Sequence, residues 1–459
     1  MTRVTMHAEK PGREALRACI SCFHRGMCQT LVVLIGAWCV LTPGRAQAQP
    51  AGRPCIPPAA LPISGTRIVN GATEAQLQNA MGDLQAGDTI VLANGTYNLT
   101  RTLNVNGRNN VTIRGTFGCD GVVLVGRGMD NPNYGSVPHG IWSNSSNTTI
   151  AHLTIRDTYD NPIIFNAGAR SPRVYSVKLL NAGSQFIKAN PTDIAQGIGI
   201  DNGVVEYSWF EYPAGPPTTD HGAGLGYTNG LSLHAAENWI IRRNLFKNLR
   251  MPDSYRWSWN PAVLVWNHSS NTLTESNIFI NVDRAIAYGI QANNGSDHQG
   301  GTIRNNFIYL QPNLMSASRK AGSDAQIIVW DSPGTKVYHN TILTNGNVFK
   351  SIEFRFITTG AEARNNLADA PIGTRDGATF TQSGNLLTAI PSMFVNPAAA
   401  DLHLRSTATV AIDRAPTLTS VTDDIDGNAR PFGPAYDIGA DEFIVGGGDT
   451  IPPSPLHQP

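Results

Sequence analysis

Two apolar strand patterns alternate along most of this chain, eight times over, and that repeat restricts the fold more than any other feature of the sequence. The first pattern recurs as Gly140-Ile141-Trp142, Pro162 to Phe165, Phe186-Ile187-Lys188, Leu231 to His234, Val263 to Trp266, Ile286-Ala287-Tyr288, Ile327 to Trp330 and Ile352 to Phe356. The second follows each of them, as Ile150 to Ile155, Val174 to Leu180, Val204 to Phe210, Trp239 to Phe246, Leu273 to Phe279, Ile303 to Tyr309, Val337 to Leu343 and Ala363 to Leu367. A unit this short cannot bury its apolar face alone, but stacked copies share one continuous core. Uneven spacing implies a coil of roughly two dozen residues interrupted by loop insertions. With only 15% charged residues, 45 Gly and 29 Pro, long charged helices are disfavoured. The expectation is an all-β chain folded as a right-handed parallel β-helix.

Within the second pattern an Asn returns at one place, as Asn244, Asn277, Asn306, Asn340 and Asn366. Stacked amides can hydrogen-bond along the solenoid axis, so these are read as a structural ladder. Residues 73–84 read as a short amphipathic helix with Thr73 as N-cap and Leu77, Ala80, Met81 and Leu84 on one face. It suits the exposed apolar end of a solenoid as a cap.

The stretch AGDTIVLANGTY at 86–97, placed after that helix and before Val111-Thr112-Ile113-Arg114-Gly115, resembles the opening of secreted β-helix proteins of the pectin-lyase-like superfamily, in particular the chondroitinase B and alginate lyase group. The resemblance covers residues 65–370 in pattern. It implies a carbohydrate-active protein, with polysaccharide β-elimination as the leading activity. In that group a Lys in an Asn-Lys-Ser strand and an Arg in a Leu-Arg-His-Gly strand act on the substrate. Laid over this chain, those strands fall on Ser232-Leu233-His234-Ala235 and Val265-Trp266-Asn267-His268, which hold neither residue. No catalytic residue is carried over.

The ends read differently. Residues 1–48 have a basic stretch, the apolar run Leu31–Leu41 and the small-residue site Ala46-Gln47-Ala48, which together make a secretory signal peptide. Removing its six basic and two acidic residues from the 34 of each leaves 28 and 32, a net charge of −4. No basic stripe points to nucleic acid. The chain is expected to be secreted, periplasmic or on the cell surface, without a transmembrane segment once the signal is cleaved, and monomeric. Cys55 and Cys119 remain after cleavage and are expected to pair, tying the N-terminal arm 49–72 to the first coils. The β-helix with its cap occupies 73–445, ending in an Asp-rich closing segment at 423–442 that lacks EF-hand spacing. Residues 446–459 are a flexible tail or linker stub.

Core-facing side chains fill a β-helix, so chemistry must lie on outer faces and loops. Loops at 213–229, 247–261 and 310–325 on one side of the first pattern, and 189–203 and 289–300 on the other, would wall a groove suited to a linear polymer. Strand alternation makes the floor Asn166, Lys188, His234, Trp266, Trp330 and Arg355. Trp266, Trp330, Trp257 and Trp259 would stack on sugar rings, and Arg355 would pair with anionic groups. A lyase acting on a uronate polymer needs a base, a partner for the carboxylate and an acid for the leaving oxygen. The candidates are Lys188 or His234 as base, Arg250 or Arg243 as carboxylate partner, and Tyr255 or His221 as acid. Asp220 and Asp297, each followed by His, are candidate ligands for Ca2+. Two other functions fit the same groove. A glycoside hydrolase would need paired carboxylates across it; a binding protein would need neither base nor neutraliser.

Overall fold

The computed structural model describes residues 52–445, apart from 223, 225, 253 and 255–260. The expected signal peptide and tail, and Tyr255, Trp257 and Trp259, lie outside the described residues. The chain coils as a parallel β-helix with three faces. The first face is a ten-stranded parallel sheet whose neighbours follow sequence order, from Leu103–Val105 to Ile372–Arg375. All eight repeats of the first pattern are in it, with one further strand at each end. The connections between in-register parallel neighbours wind right-handed, as strand twist requires.

The second pattern is not one strand but two. In most coils a corner divides it, as in Ile240–Arg242 and Leu245–Lys247. Only Thr149–Thr158 and Arg173–Ala182 run on and join the second and third faces into one twenty-stranded sheet. The corner has a local cause. Tyr207, Arg243, Ser276, Asn305, His339 and Asn365 each take a left-handed conformation, with φ between 49° and 57°, and turn the chain. From the second of these corners onward the next residue is an Asn of the ladder. The amide nitrogens of Asn244, Asn277, Asn306, Asn340 and Asn366 each donate to the following amide oxygen at 2.9–3.0 Å. Asn385, which the repeat reading stopped short of, ends the series. Inside, Phe210, Phe246 and Phe279 stack with centroids 4.6 and 4.9 Å apart, in the offset geometry aromatic rings favour.

The helix Glu74–Gly82 caps the N-terminal end, with Gln76 N–H donating to the Thr73 hydroxyl and Leu77 fully buried. The arm is partly strand: Arg67–Gly71 pairs in parallel with Asp88–Leu92. Cys55 and Cys119 form a disulfide. It holds the arm against the second face, where the Tyr175 hydroxyl donates to the Ala59 carbonyl and Leu61 packs by Tyr175 and Tyr207. The closing segment, which in the structure takes in residues 391–442 and not 423–442 alone, does not simply plug the far end. It lies back along the third face, burying Phe394, Leu402, Leu404 and Ile438 against Ile280, Phe307, Leu343 and Leu367. Among the described residues no helix is long and apolar enough to cross a membrane.

Candidate functional site on the first face

Register decides what the first face presents. Ile187, Leu231, Val263, Ile286, Ile327 and Ile352 align and point into the core. One residue on, an outward row reads Ile164, Lys188, Ser232, Leu264, Ala287, Ile328 and Glu353. Two further on, a second outward row holds His234, Trp266, Trp330 and Arg355. Lys188 therefore pairs with Ser232 and not with His234, so the floor expected as one row is two rows set two residues apart.

Outward does not mean accessible. Leu264, Ala287, Ile328 and Trp330 form a covered apolar cluster, and Trp330 is only 4% exposed. The guanidinium groups of Arg284, Arg355 and Arg375 lie 4.7–5.4 Å from its ring centroid, and its Nε1 donates to Glu353. Trp330 is thus a buried anchor, not a sugar platform. Arg355 is paired with Asp376, and Lys350 and Arg375 with the buried Glu353, so these cations are already neutralised. Further along this end, Asp331, Phe356, Ile357 and Asp376 help line an open hollow of about 420 Å³.

Several other expected residues serve the scaffold. Arg243 is not on this face; it donates to the Ile425 carbonyl of the closing segment. Arg250 stands 3.7 Å from the buried Asp283, which also holds Arg319. Asp220 accepts from Gly222 and Gly224 N–H groups and so shapes its own loop. Asp297 is buried and accepts three backbone N–H bonds, from Asn267, Ile290 and Gln291. His298, fully buried, bonds Ser332 and Thr272, and burial holds its imidazole down at about 3. Among the described residues neither Asp220 nor Asp297 belongs to a cluster that could hold a metal ion. The group that does has His403, Asp426 and Asp441, in the closing segment.

What remains is compact. Lys188 is half-buried and forms no ion pair or hydrogen bond with any described residue. Burial pushes its ammonium below the usual lysine value, while Asp160 pulls the other way. Asp160 and His139 stand on the N-terminal side of Lys188 and feel its charge or it theirs. His234 stands on the other side, one coil on. Burial, with Lys188 adding to it, holds the His234 imidazole at about 4. Its Nδ1 lies 2.9 Å from Asn267 Nδ2, its Nε2 3.4 Å from Ser232 Oγ, and its ring 4.8 Å from that of the half-buried Trp266. His221 comes to this site from its loop, with Nδ1 3.6 Å from Asp160 and its ring edge-on to Tyr159, on which Tyr134 stacks at 4.1 Å.

Lys188, His234, His221 and Trp266 are thus brought together as the sequence suggested. His139, Asp160, Tyr134 and Tyr159 are additions. His139 and Asp160 could have been found as polar residues one place before Gly140 and two places before Pro162, which open two strands of the first pattern. The arrangement offers a proton acceptor of lowered basicity, a neutral imidazole and half-buried aromatic rings beside one open strip of sheet.

No known protein family matches the chain, and no curated protein does. Among solved structures, pectate lyase Pel9A is similar at 10% identity over 83% of this chain and 98% of its own, with a TM-score of 0.44. A polygalacturonase from Erwinia carotovora gives 11% identity, 73% and 99% coverage and a TM-score of 0.41. An alginate lyase from Paenibacillus gives 14%, 70%, 99% and 0.36. The parallel β-helix itself is read from this chain's own strand register.

Proposed function

We propose that this chain is an exported, monomeric lyase that binds a uronate-containing polysaccharide along the open strip of the first face and cleaves it by β-elimination. The observation that carries the reading is Lys188: an amine that forms no ion pair with any described residue, on a face whose other described cations are paired, with a basicity lowered by burial. A lysine in that state can be neutral often enough to take a proton. Lys188 Nζ removes the proton at C5 of the uronate. The electron pair left behind forms the C4–C5 double bond, the bond from C4 to the glycosidic oxygen breaks, and that oxygen leaves with the proton that Lys188 returns. The uronate carboxylate needs a positive partner while C5 carries charge. Arg243 and Arg250 are committed elsewhere, and among the described residues no metal-ligand cluster lies on this face, so the charge would have to come from Ca2+ carried by the polymer itself. Tyr134, Tyr159 and Trp266 would hold sugar rings.

Hydrolysis finds less support, because the outward acids Glu353 and Asp331 are buried and already hydrogen-bonded. The test is incubation with a panel of uronate polymers, with and without Ca2+, following ultraviolet absorbance of unsaturated ends. Absorbance that rises with the wild type and is lost in Lys188→Ala supports the proposal. New reducing ends without absorbance would make the protein a hydrolase, and retention on a polymer column with neither product would make it a binding protein.

A further inference from the structure

The hydrogen bonds behind His234 form a chain in which every donor can be assigned. It starts from backbone groups. Asp297 is buried, and its carboxylate accepts N–H bonds from Asn267 at 3.0 Å, Ile290 at 2.7 Å and Gln291 at 3.1 Å, so its oxygens are acceptors. Gln291 Nε2 lies 3.3 Å from Asp297 Oδ1 and 2.7 Å from Asn267 Oδ1. Only the nitrogen of the Gln291 amide can face both oxygens. Asn267 then presents its own oxygen to Gln291, which leaves its Nδ2 toward His234 Nδ1 at 2.9 Å. An amide nitrogen donates and does not accept, so His234 Nδ1 must be the accepting nitrogen of a neutral ring.

We infer that Asp297, Gln291 and Asn267 are positioning residues that fix His234 as its Nε2–H tautomer, making it a hydrogen-bond donor on the first face and not a base. The backbone supports the arrangement. Asn267 and His268 are consecutive residues with φ of 54° and 70°, a conformation that asparagine tolerates and that turns the Asn267 side chain out of the strand that ends at Trp266. The charge state agrees, since burial keeps His234 neutral at physiological pH. Among the described residues its Nε2–H has only Ser232 Oγ as a partner, at the long distance of 3.4 Å. That proton is available to an oxygen of a bound molecule. The inference rests on the lyase reading only for what the donor does: it divides the labour, giving proton removal and its return to the leaving oxygen to Lys188, and a hydrogen bond to that oxygen or the uronate, with no proton transferred, to His234.

The experiment reads the tautomer directly, in full-length protein labelled with 15N-histidine. Long-range proton–nitrogen correlation spectra assign His234 by its loss in His234→Ala. The wild type is expected to show one ring nitrogen protonated, Nε2, near neutral pH. Asn267→Asp places an acceptor against Nδ1 and is expected to move the proton there; Gln291→Leu, at an exposed side chain, frees the Asn267 amide to turn and should give a mixture. A wild-type ring protonated at Nδ1, or a tautomer unchanged in both variants, overturns the inference. Activity is a separate arm. If the tautomer behaves as expected while no uronate polymer is cleaved, the positioning chain stands and the lyase reading fails. If both hold, Asn267→Asp should lower kcat at least tenfold with little change in retention on a polymer column.

Discussion

Replacing Asn306 by Ala is the sharpest test of what holds these coils in register. The side chain is fully buried. Its oxygen accepts from Asn277 N and from Asn277 Nδ2, both at 3.0 Å, and its nitrogen donates to the Thr274 and Arg304 carbonyls and to Asn340 Oδ1. Asn340 Oδ1 keeps a second donor, the Asn306 backbone N–H at 3.2 Å. The Asn277 backbone N–H loses its acceptor and cannot reach water, whereas Asn277 Nδ2 keeps the Ile241 carbonyl at 2.9 Å. At about 1–3 kcal/mol for a buried group left unpaired, the substitution should cost toward the upper end of that range, since a ladder bond is lost as well. Asn385→Ala is the matched control. Asn385 ends the ladder and is half-exposed, so the Asn366 donors it serves can turn to water and the loss should be nearer ~1 kcal/mol. Because a solenoid's stability is a sum of neighbour terms, the damage should be local. Denaturant unfolding gives the magnitude, and hydrogen exchange at the Asn277 amide gives the place. If Asn306→Ala costs no more than Asn385→Ala, or if Asn277 stays protected, the ladder does not stabilise the corner.

Three further outcomes are expected. Lys188→Ala should lower kcat by about 10²–10⁴, and Asp160→Asn, by removing the charge that raises the Lys188 value, should move the rising limb of the pH–rate profile to lower pH; a limb that stays put or moves up would contradict the base assignment. Cys55→Ser should destabilise the arm by about 4 kcal/mol or less, the loop-closure value for a separation of 64 residues, read as the change in denaturation midpoint that reduction of the wild type reproduces. In the closing segment, burial opposes the charge on His403 but bonds to Asp401 and Asp426 outweigh it and hold the imidazole well above its usual value, while burial raises Asp424 and Asp437 to about 6. A raised histidine contributes fully below about 6.5 and loses that contribution as pH climbs through its folded value; the two raised acids favour the fold when protonated and lose that between about 4 and 6. Stability of this segment should therefore fall as pH rises, and His403→Gln should flatten the upper part of the dependence in thermal melts.

The sequence made the coil legible and the site only half so, for one reason. Whatever repeats can be read by comparison with its own copies. The eight strands of the first pattern, the five ladder asparagines and the outward sense of Lys188, His234 and Trp266 all follow from a period of two within a longer period. A two-residue slip, however, preserves which side a residue faces, so alternation could not show that Lys188 is level with Ser232 while His234 is level with Trp266. The consequence is functional: Lys188 and His234 are offset along the strand as well as across coils, which leaves room for one to work on a ring carbon and the other on an oxygen. What does not repeat could be read only in part. Trp330 is covered by arginines from three strands, and Asp297 is spent on a loop's amides, because side chains outside the pattern decide access and partners. The same is true of the groups that single out Lys188. His139 and Asp160 precede their strands, two residues before the core-facing Ile141 and three before the core-facing Ile163, and His221 arrives from an insertion. On this chain the repeat builds the face, and the departures from it, insertion by insertion, leave the half-buried amine of Lys188 there without an ion pair among the described residues.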